Sequence, residues 1–183
     1  MCLKLCKTKK VKIKDGRTIT IRRPKLSDAR QVTGYVNSLI EEDALVKINE
    51  KQTVKQETRW LEGVLRHIRE NKKHALVAEC DGEIISIVEL RKGIWRQSHT
   101  ASVALAVKKN YRRLGVATIM MKTILDIGKR DKDIKVIFLD VYAANRPALE
   151  MYKKLGFEKV ARLKNRVQYK GKLGDLFIMD FEG

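Results

Sequence analysis

The run Val136–Tyr142, which reads VIFLDVY, constrains the fold of this chain more than any other segment. It is almost continuously apolar, as strands buried on both faces of a sheet are. The segments before and after it, IMMKTILDIGKR and ALEMYKKL, carry apolar residues at helical spacing. A buried strand between two amphipathic helices predicts an α/β fold, because helices must cover such a sheet.

The remaining segments extend this pattern. A strand in GRTITIRRP is followed by two helical segments, and ALVAECDGEIISIVEL predicts a hairpin that turns at Asp81 and Gly82. A third strand, TASVALAV, leads into the central helix, and two more strands close the chain. The order β-α-α-β-β-β-α-β-α-β-β predicts one α/β domain with a central mixed, twisted sheet flanked by helices.

Charge is distributed unevenly along the chain. Lys and Arg number 40 against 22 Asp and Glu, for a formal net charge of +18, and six lysines fall within residues 1–14. We therefore predict a basic N-terminal extension over residues 1–14 and the folded domain over residues 15–183. Such a charge attracts nucleic acid or nucleoprotein, an anionic membrane or a phosphorylated cofactor, but a lysine-rich surface that keeps the protein soluble explains it equally well.

Several classes of protein are disfavoured by what the sequence lacks. The three cysteines and three histidines are scattered, so we expect no metal site, and a cytoplasmic protein without disulfides. The sequence contains no apolar run of about 18 residues, which is the length that would predict a membrane span. The phosphate-binding motif of P-loop enzymes, the glycine motif of dinucleotide-binding folds and the G-x-S-x-G motif of hydrolases are all missing.

The turn Arg112–Ala117, RRLGVA, lies between a strand and a helix. A glycine at a helix start lets backbone N–H groups point outward, and together with the helix dipole these groups bind phosphate well. The two arginines add positive charge. A tight strand-to-helix turn without a ligand is the alternative, since short glycine turns are common.

A second motif, NRPALEMYKKLGF, follows the buried strand. Asn145, Ala148 and Tyr152 fall on one helix face. A helix cap, a core alanine and a packed tyrosine would account for these three residues without any function. Together, however, R-x-x-G-x-A and, about 30 residues later, N-x-x-A-x-x-x-Y-x-x-x-G-F resemble the GNAT superfamily of acetyl-CoA-dependent N-acetyltransferases. Within that superfamily, the motifs look most like those of ribosomal-protein alanine and N-terminal acetyltransferases.

This resemblance implies a single-domain GNAT-like fold in which the parallel strands SVALAV and KVIFLDVY splay apart around acetyl-CoA, the co-substrate. It implies that the Leu105–Val107 backbone pairs with the pantetheine arm, with amides near Ala106 and Val107 polarising the thioester carbonyl. Asn145 would contact the amide arm, and Tyr152 would bind near the sulfur and protonate the leaving thiolate. The implied cofactor-binding residues are Leu105, Ala106, Val107, Arg112, Arg113, Leu114, Gly115, Val116, Ala117, Thr118, Asn145 and Tyr152.

The general base is predicted at Asp140. The ribosomal-protein alanine and N-terminal acetyltransferases that these motifs resemble often carry Glu or His in the strand before the Asn, at the middle position of L-[E/H]-V, where this chain has Leu139-Asp140-Val141. A carboxylate among apolar neighbours is costly to bury, so it tends to face a cleft or a partner, and partial desolvation makes it a better base. Pairing with a basic residue is the open alternative. Reserve candidates for the base are Glu79, Glu89 and His99, while Ser102 replaces an acidic residue found in many relatives.

The resemblance thus predicts an N-acetyltransferase that transfers acetyl from acetyl-CoA to a primary amine by direct attack. The acceptor would be a protein N-terminus, a ribosomal protein or a small amine, and the chain would have no membrane partner and would form a homodimer. Two alternatives remain: a basic nucleic-acid-binding module, and a GNAT fold that binds acyl-CoA without catalysis.

Overall fold

The computed structural model describes residues 8–181. Cys2, Cys6 and the first half of the predicted basic extension lie outside the described residues. The described chain contains eight strands and four α-helices in the order β1 (Lys9–Lys12), β2 (Thr18–Arg22), α1 (Ala29–Glu41), α2 (Val54–Arg69), β3 (Lys73–Cys80), β4 (Glu83–Lys92), β5 (Thr100–Val107), α3 (Val116–Arg130), β6 (Val136–Tyr142), α4 (Arg146–Lys154), β7 (Phe157–Tyr169) and β8 (Lys172–Phe181).

All eight strands form one sheet with the order β1-β2-β3-β4-β5-β6-β8-β7. The pair β5–β6 is parallel, and the other six neighbouring pairs are antiparallel. The mixed sheet flanked by helices is therefore confirmed. No helix in the described part of the chain is long and apolar enough to cross a membrane.

Two apolar layers cover the two faces of the sheet. The larger core joins α3 and α4 to the sheet, and its fully buried centre includes Met120, Met121, Ile124 and Leu139. On the other face, α1 and α2 pack on β3 and β4. Alternate residues of β6 point to these two layers, so Leu139 and Val141 enter the larger core while Asp140 faces the other side.

Local sequence signals explain several element boundaries. Thr53 caps α2 by accepting the Gln56 N–H, and Gln56 accepts the Thr53 N–H in return. Asp81 and Gly82 both have positive φ (50° and 78°), as a tight hairpin turn requires. Leu26–Asp28 form a short 3₁₀ turn that leads into α1, and Asp28 stands at the cap position of that helix.

The sheet extends into the predicted N-terminal extension. Lys9–Lys12 pair antiparallel with Thr18–Ile21, which makes β1 an edge strand that the sequence did not predict. The Lys14 N–H also donates to Leu114 O (3.1 Å), so this hairpin contacts the turn that precedes α3. Whether the folded domain begins at residue 15 stays a prediction.

The parallel strands β5 and β6 separate soon after they meet. They pair from Thr100 opposite Val136 to Ser102 opposite Phe138, and no further pairing between them occurs in the described residues. The rest of β5, up to Val107, and the rest of β6, up to Tyr142, therefore border a gap. The predicted splaying of these two strands is confirmed.

Candidate active site

The β5 edge of the gap presents backbone groups that are unpaired within the described part of the chain. Just after β5, the Lys108 N–H donates to Ile85 O at 2.9 Å, so the backbone groups of Lys108 point toward β4. Backbone groups alternate in direction along an antiparallel strand, so Leu105 and Val107 direct theirs toward the gap. The Val107 carbonyl already accepts the Arg112 Nε–H at 2.9 Å. The N–H groups of Leu105 and Val107 are thus the donors that β5 offers to the gap.

Ala106 lies between these two residues but faces the opposite way. Its backbone turns toward β4, opposite Ile87, and its carbonyl accepts the hydroxyls of Tyr35 (2.9 Å) and Ser86 (2.8 Å). The amide predicted to act near Ala106 is therefore not directed into the gap, because strand alternation assigns it to the β4 ladder. Leu105 takes that place, beside Val107.

The N-terminus of α3 lies just past the end of β5. Gly115 occupies the cap position with φ of 87°, and Arg113 also has positive φ (63°). The N–H groups of Val116, Ala117 and Thr118 have no intrahelical acceptor at this position, so they can bind an anion together with the helix dipole. Side-chain packing holds the turn in place, because Val116 is buried and Leu114 packs on the larger core.

The two arginines of the turn differ in their surroundings. Arg112 pairs with Glu42 of the segment after α1 and donates to the Val107 carbonyl, so it ties the turn to β5. Arg113 is exposed. An ideal Cβ on Gly115 would meet only the Lys14 side chain, at 4.0 Å. The space in front of the turn is therefore open and lined by positive charge, which fits a phosphorylated ligand.

Asn145 stands at the start of α4, as predicted. Its side-chain oxygen accepts the Ala148 N–H at 3.3 Å, and its side chain is half-buried. The cap uses only the oxygen, so the amide nitrogen has no acceptor among the described residues and can donate to a ligand. The structural reading of Asn145 as a helix cap is thus confirmed, and its predicted contact with a ligand stays a prediction.

Tyr152 lies on the inner face of α4. Its side chain is 8% exposed, and its ring packs on Phe157 with centroids 5.6 Å apart. The hydroxyl has no hydrogen-bond partner among residues 8–181, yet no fully buried side-chain oxygen in that part of the chain lacks one. The hydroxyl therefore reaches solvent. Burial, and secondarily the charge of Asp140, raises the pKa of Tyr152 to about 12, so this group stays protonated at neutral pH.

Asp140 lies on β6, beside the gap and on the face opposite Tyr152. Its side chain is 29% exposed, and both carboxylate oxygens contact Lys47 Nζ, at 2.9 Å and 2.8 Å. From the sequence, Asp140 was expected to face either a cleft or a basic partner. Both are present, because Asp140 borders the gap on β6 and pairs with Lys47 of the segment between α1 and α2.

The reserve bases lie in other surroundings. Glu79 pairs with Arg22 (2.7 Å) on β2 and β3, and Glu89 pairs with the buried Lys73 (2.6 Å). His99 lies at the N-terminal end of β5, whereas the gap borders the C-terminal part of that strand. Glu89 is the nearest of the three to the gap, since it is paired with Ala104 across β4 and β5.

Three neighbours of the site were missed by sequence reasoning. Lys47 contacts Asp140, the Tyr142 hydroxyl donates to Val46 O (3.1 Å), and Lys14 lies beside Gly115. Each of these contacts joins segments far apart in sequence, and no local motif marks them.

Comparison with known proteins identifies the family. The profile of the acetyltransferase (GNAT) family matches residues 37–157, which include β5, α3, β6 and α4. An N-alpha-acetyltransferase of Sulfurisphaera tokodaii is 26% identical over 163 residues, covering 83% of this chain and 87% of the relative.

Two solved structures share the fold. A ribosomal-protein-alanine N-acetyltransferase from Brucella melitensis has a TM-score of 0.75 at 21% identity, covering 87% of this chain and 97% of that one. RimJ of Mycobacterium smegmatis, solved in complex with CoA-disulfide, has a TM-score of 0.79 at 16% identity, covering 95% of this chain and 86% of that one. Since the profile matches more than half of the residues, this chain belongs to the GNAT family of acetyltransferases.

Proposed function

We propose that this protein transfers an acetyl group from acetyl-CoA to the α-amino group of protein N-termini. The observation that carries the proposal is the gap between β5 and β6. Backbone N–H groups of β5 line one edge of this gap, and the N-terminus of α3 lies at its end. Asp140 of β6 lies on one face of the sheet, and Tyr152 of α4 packs on the other face. The name of the Sulfurisphaera relative supports the choice of an α-amine over other amines.

Binding of acetyl-CoA would use groups that residues 8–181 leave unpaired. The N–H groups of Val116, Ala117 and Thr118 would hold the pyrophosphate, and Arg113 would add charge beside it. The N–H groups of Leu105 and Val107 would donate to the pantetheine arm and to the thioester carbonyl. Bound acetyl-CoA would supply the acetyl group as an activated thioester.

The two ionisable side chains would divide the proton transfers. Asp140, which lies beside the gap, would accept a proton from the attacking amine, directly or through a water molecule. Tyr152, which keeps its proton because of its high pKa, would donate to the departing sulfur. Amides that point at a carbonyl oxygen where charge develops stabilise the transition state, which gives Leu105 and Val107 a catalytic as well as a binding role.

Turnover of acetyl-CoA against a panel of acceptors tests this proposal. The panel compares peptides with a free α-amine, the same peptides with a blocked α-amine and one free lysine, polyamines, and free amino acids. We expect the peptides with a free α-amine to react fastest. A strong preference for polyamines or lysine side chains would refute the acceptor, and tight CoA binding without any turnover would indicate a non-catalytic acyl-CoA-binding protein.

The basic surface supports a partner of opposite charge. The edge strand β1 carries Lys9, Lys10 and Lys12, and the net charge of the chain is +18. We propose that this charge brings acidic or nucleic-acid-bound acceptors to the enzyme. Binding to RNA should then weaken steeply with salt, whereas CoA binding within the gap should persist. Homodimer formation stays a prediction, and analytical ultracentrifugation tests it.

A further inference from the structure

Lys47 presents a primary amine to the carboxylate that we propose as the base. Its Nζ lies 2.9 Å from Asp140 Oδ1 and 2.8 Å from Oδ2, across 93 residues of sequence. The Lys47 side chain is 65% exposed and the Asp140 side chain is 29% exposed. An acceptor amine would have to occupy the same position relative to Asp140 in order to lose its proton there.

The backbone around Lys47 is held in this place by other contacts. The Tyr142 hydroxyl donates to Val46 O at 3.1 Å, and Tyr142 lies two residues from Asp140 on the same face of β6. At the other end of the segment, Asp43 O accepts the Tyr169 hydroxyl at 2.9 Å. The position of Lys47 thus follows from two tyrosine contacts and not from its own side chain alone.

Stability alone does not account for the pair. An exposed ion pair contributes about 0.2–1 kcal/mol to the stability of a protein. This is a small gain for a carboxylate that lies in a strand among apolar neighbours. A chemical role for the amine is more consistent with where it lies. An amine tethered beside the base reacts without the entropic cost of bringing two molecules together.

We propose that Lys47 is an internal acceptor and that the protein acetylates it from its own bound acetyl-CoA, an inference that rests on the proposed function. Lys47 Nζ first loses one proton to solvent and then forms a bond to the acetyl carbonyl carbon. The carbon–sulfur bond breaks, Asp140 takes the second proton from the nitrogen, and the sulfur leaves as the thiol with a proton from Tyr152. The proton on Asp140 then returns through solvent to the Tyr152 phenolate, which restores both groups. The net products are acetyl-Lys47, CoA and one proton, and acetylation removes the charge that pairs with Asp140.

The test incubates the full-length protein with trideuteroacetyl-CoA and no other acceptor, and then maps the heavy acetyl groups by mass spectrometry. Lys51 is a matched control, because it lies in the same segment, is also 65% exposed, and pairs with Glu41 at 2.8 Å. We expect heavy acetyl on Lys47 at least about 10-fold faster than on Lys51, with a first-order rate constant that does not change over a 100-fold range of protein concentration, since a tethered amine does not depend on encounter. Lys47→Arg should abolish this label, and Lys51→Arg should not.

A second measurement separates enzymatic transfer from the chemical reactivity of the amine. Trace labelling with acetic anhydride, without CoA, reports how accessible Lys47 is as a nucleophile. In Asp140→Asn, we expect this chemical labelling to be unchanged or higher, because the amine loses its ion pair, while labelling from acetyl-CoA falls by about 10-fold or more. Equal loss in both reactions would overturn the proposal, since it would show that Asp140 only positions the side chain.

The remaining outcomes distinguish this inference from the proposed function. Turnover of peptide acceptors with no preferential label on Lys47 would overturn the inference and leave the function standing. A label on Lys47 that depends on protein concentration would also overturn it, because transfer would then occur between molecules. No turnover and no label, in a protein that binds CoA by calorimetry, would overturn both.

Discussion

Replacing Tyr152 by phenylalanine removes one oxygen atom and leaves the packing of the ring in place. The ring is nearly buried, and its contact with Phe157, at 5.6 Å between centroids, does not involve the hydroxyl. Within residues 8–181, the hydroxyl has no hydrogen-bond partner to lose. We therefore expect Tyr152→Phe to change the free energy of unfolding by less than about 1 kcal/mol, which is the net worth of one hydrogen bond.

The effect on catalysis should be much larger. Proton transfer by a positioned acid contributes about 10²–10⁴-fold to a rate, which corresponds to about 2.7–5.4 kcal/mol of transition-state stabilisation. Burial, aided by the charge of Asp140, raises the pKa of Tyr152 to about 12. The wild-type enzyme should therefore show no loss of kcat/KM from ionisation of this group below about pH 11.

The assay compares kcat/KM of the two proteins for one peptide at saturating acetyl-CoA, together with urea unfolding and CoA affinity by calorimetry. Tyr111→Phe is the matched control, because the Tyr111 hydroxyl also lacks a partner in the described residues while its ring carries the Arg17 guanidinium at 4.4 Å. Near-wild-type kcat/KM in folded Tyr152→Phe would refute the reasoning and leave Tyr152 as a packing residue. An equal loss in both variants would refute it as well.

Four further predictions concern other parts of the molecule. Asp140→Asn should lower kcat/KM by about 10²-fold with CoA affinity nearly unchanged; an unaltered rate would move the base to Glu89 or to water. Gly115→Glu should weaken CoA binding by at least about 10-fold more than Gly115→Ala, since both strain the backbone at φ of 87° but only the first adds negative charge; equal losses in calorimetry would contradict the phosphate assignment. Deleting residues 1–7 should leave turnover of a small amine within about 3-fold, and its collapse in a folded variant would contradict the predicted extension. Burial lowers the pKa of His74 despite its bond to Asp131, so the unfolded chain takes up this proton first and stability should fall as pH drops below about 6.5; an unchanged slope in His74→Gln, from urea unfolding at several pH values, would argue against this.

Most of the fold was predictable because its signals are local. The apolar run of β6, the capping box at Thr53 and the turn at Asp81 each depend on a few neighbouring residues. The edge strand β1 was not predicted, since Lys9–Lys12 contain one apolar residue and show no alternation. Charged edge strands are common because lysines discourage pairing with other chains. The same lysines remove the alternation of apolar and polar residues from which a strand is predicted.

The candidate site, like the fold, was predictable only in part. The glycine turn and the face that carries Asn145 and Tyr152 were predicted from motif spacing. The direction of the Ala106 amide was not, because it depends on the register between β4 and β5. The contact between Lys47 and Asp140 could not be inferred either, since it requires the positions of a loop and a strand 93 residues apart.

The early end of pairing between β5 and β6 gives the sheet a second pair of edges in its interior. Exposed edges recruit strands from other chains, which is why proteins protect them. A polypeptide strand that bonded to both interior edges would need them about 10 Å apart, twice the usual spacing between strands. A gap narrower than about 10 Å admits a thin extended molecule but not a peptide strand bonded to both edges. Such a gap also protects the protein against aggregation through its interior strand edges.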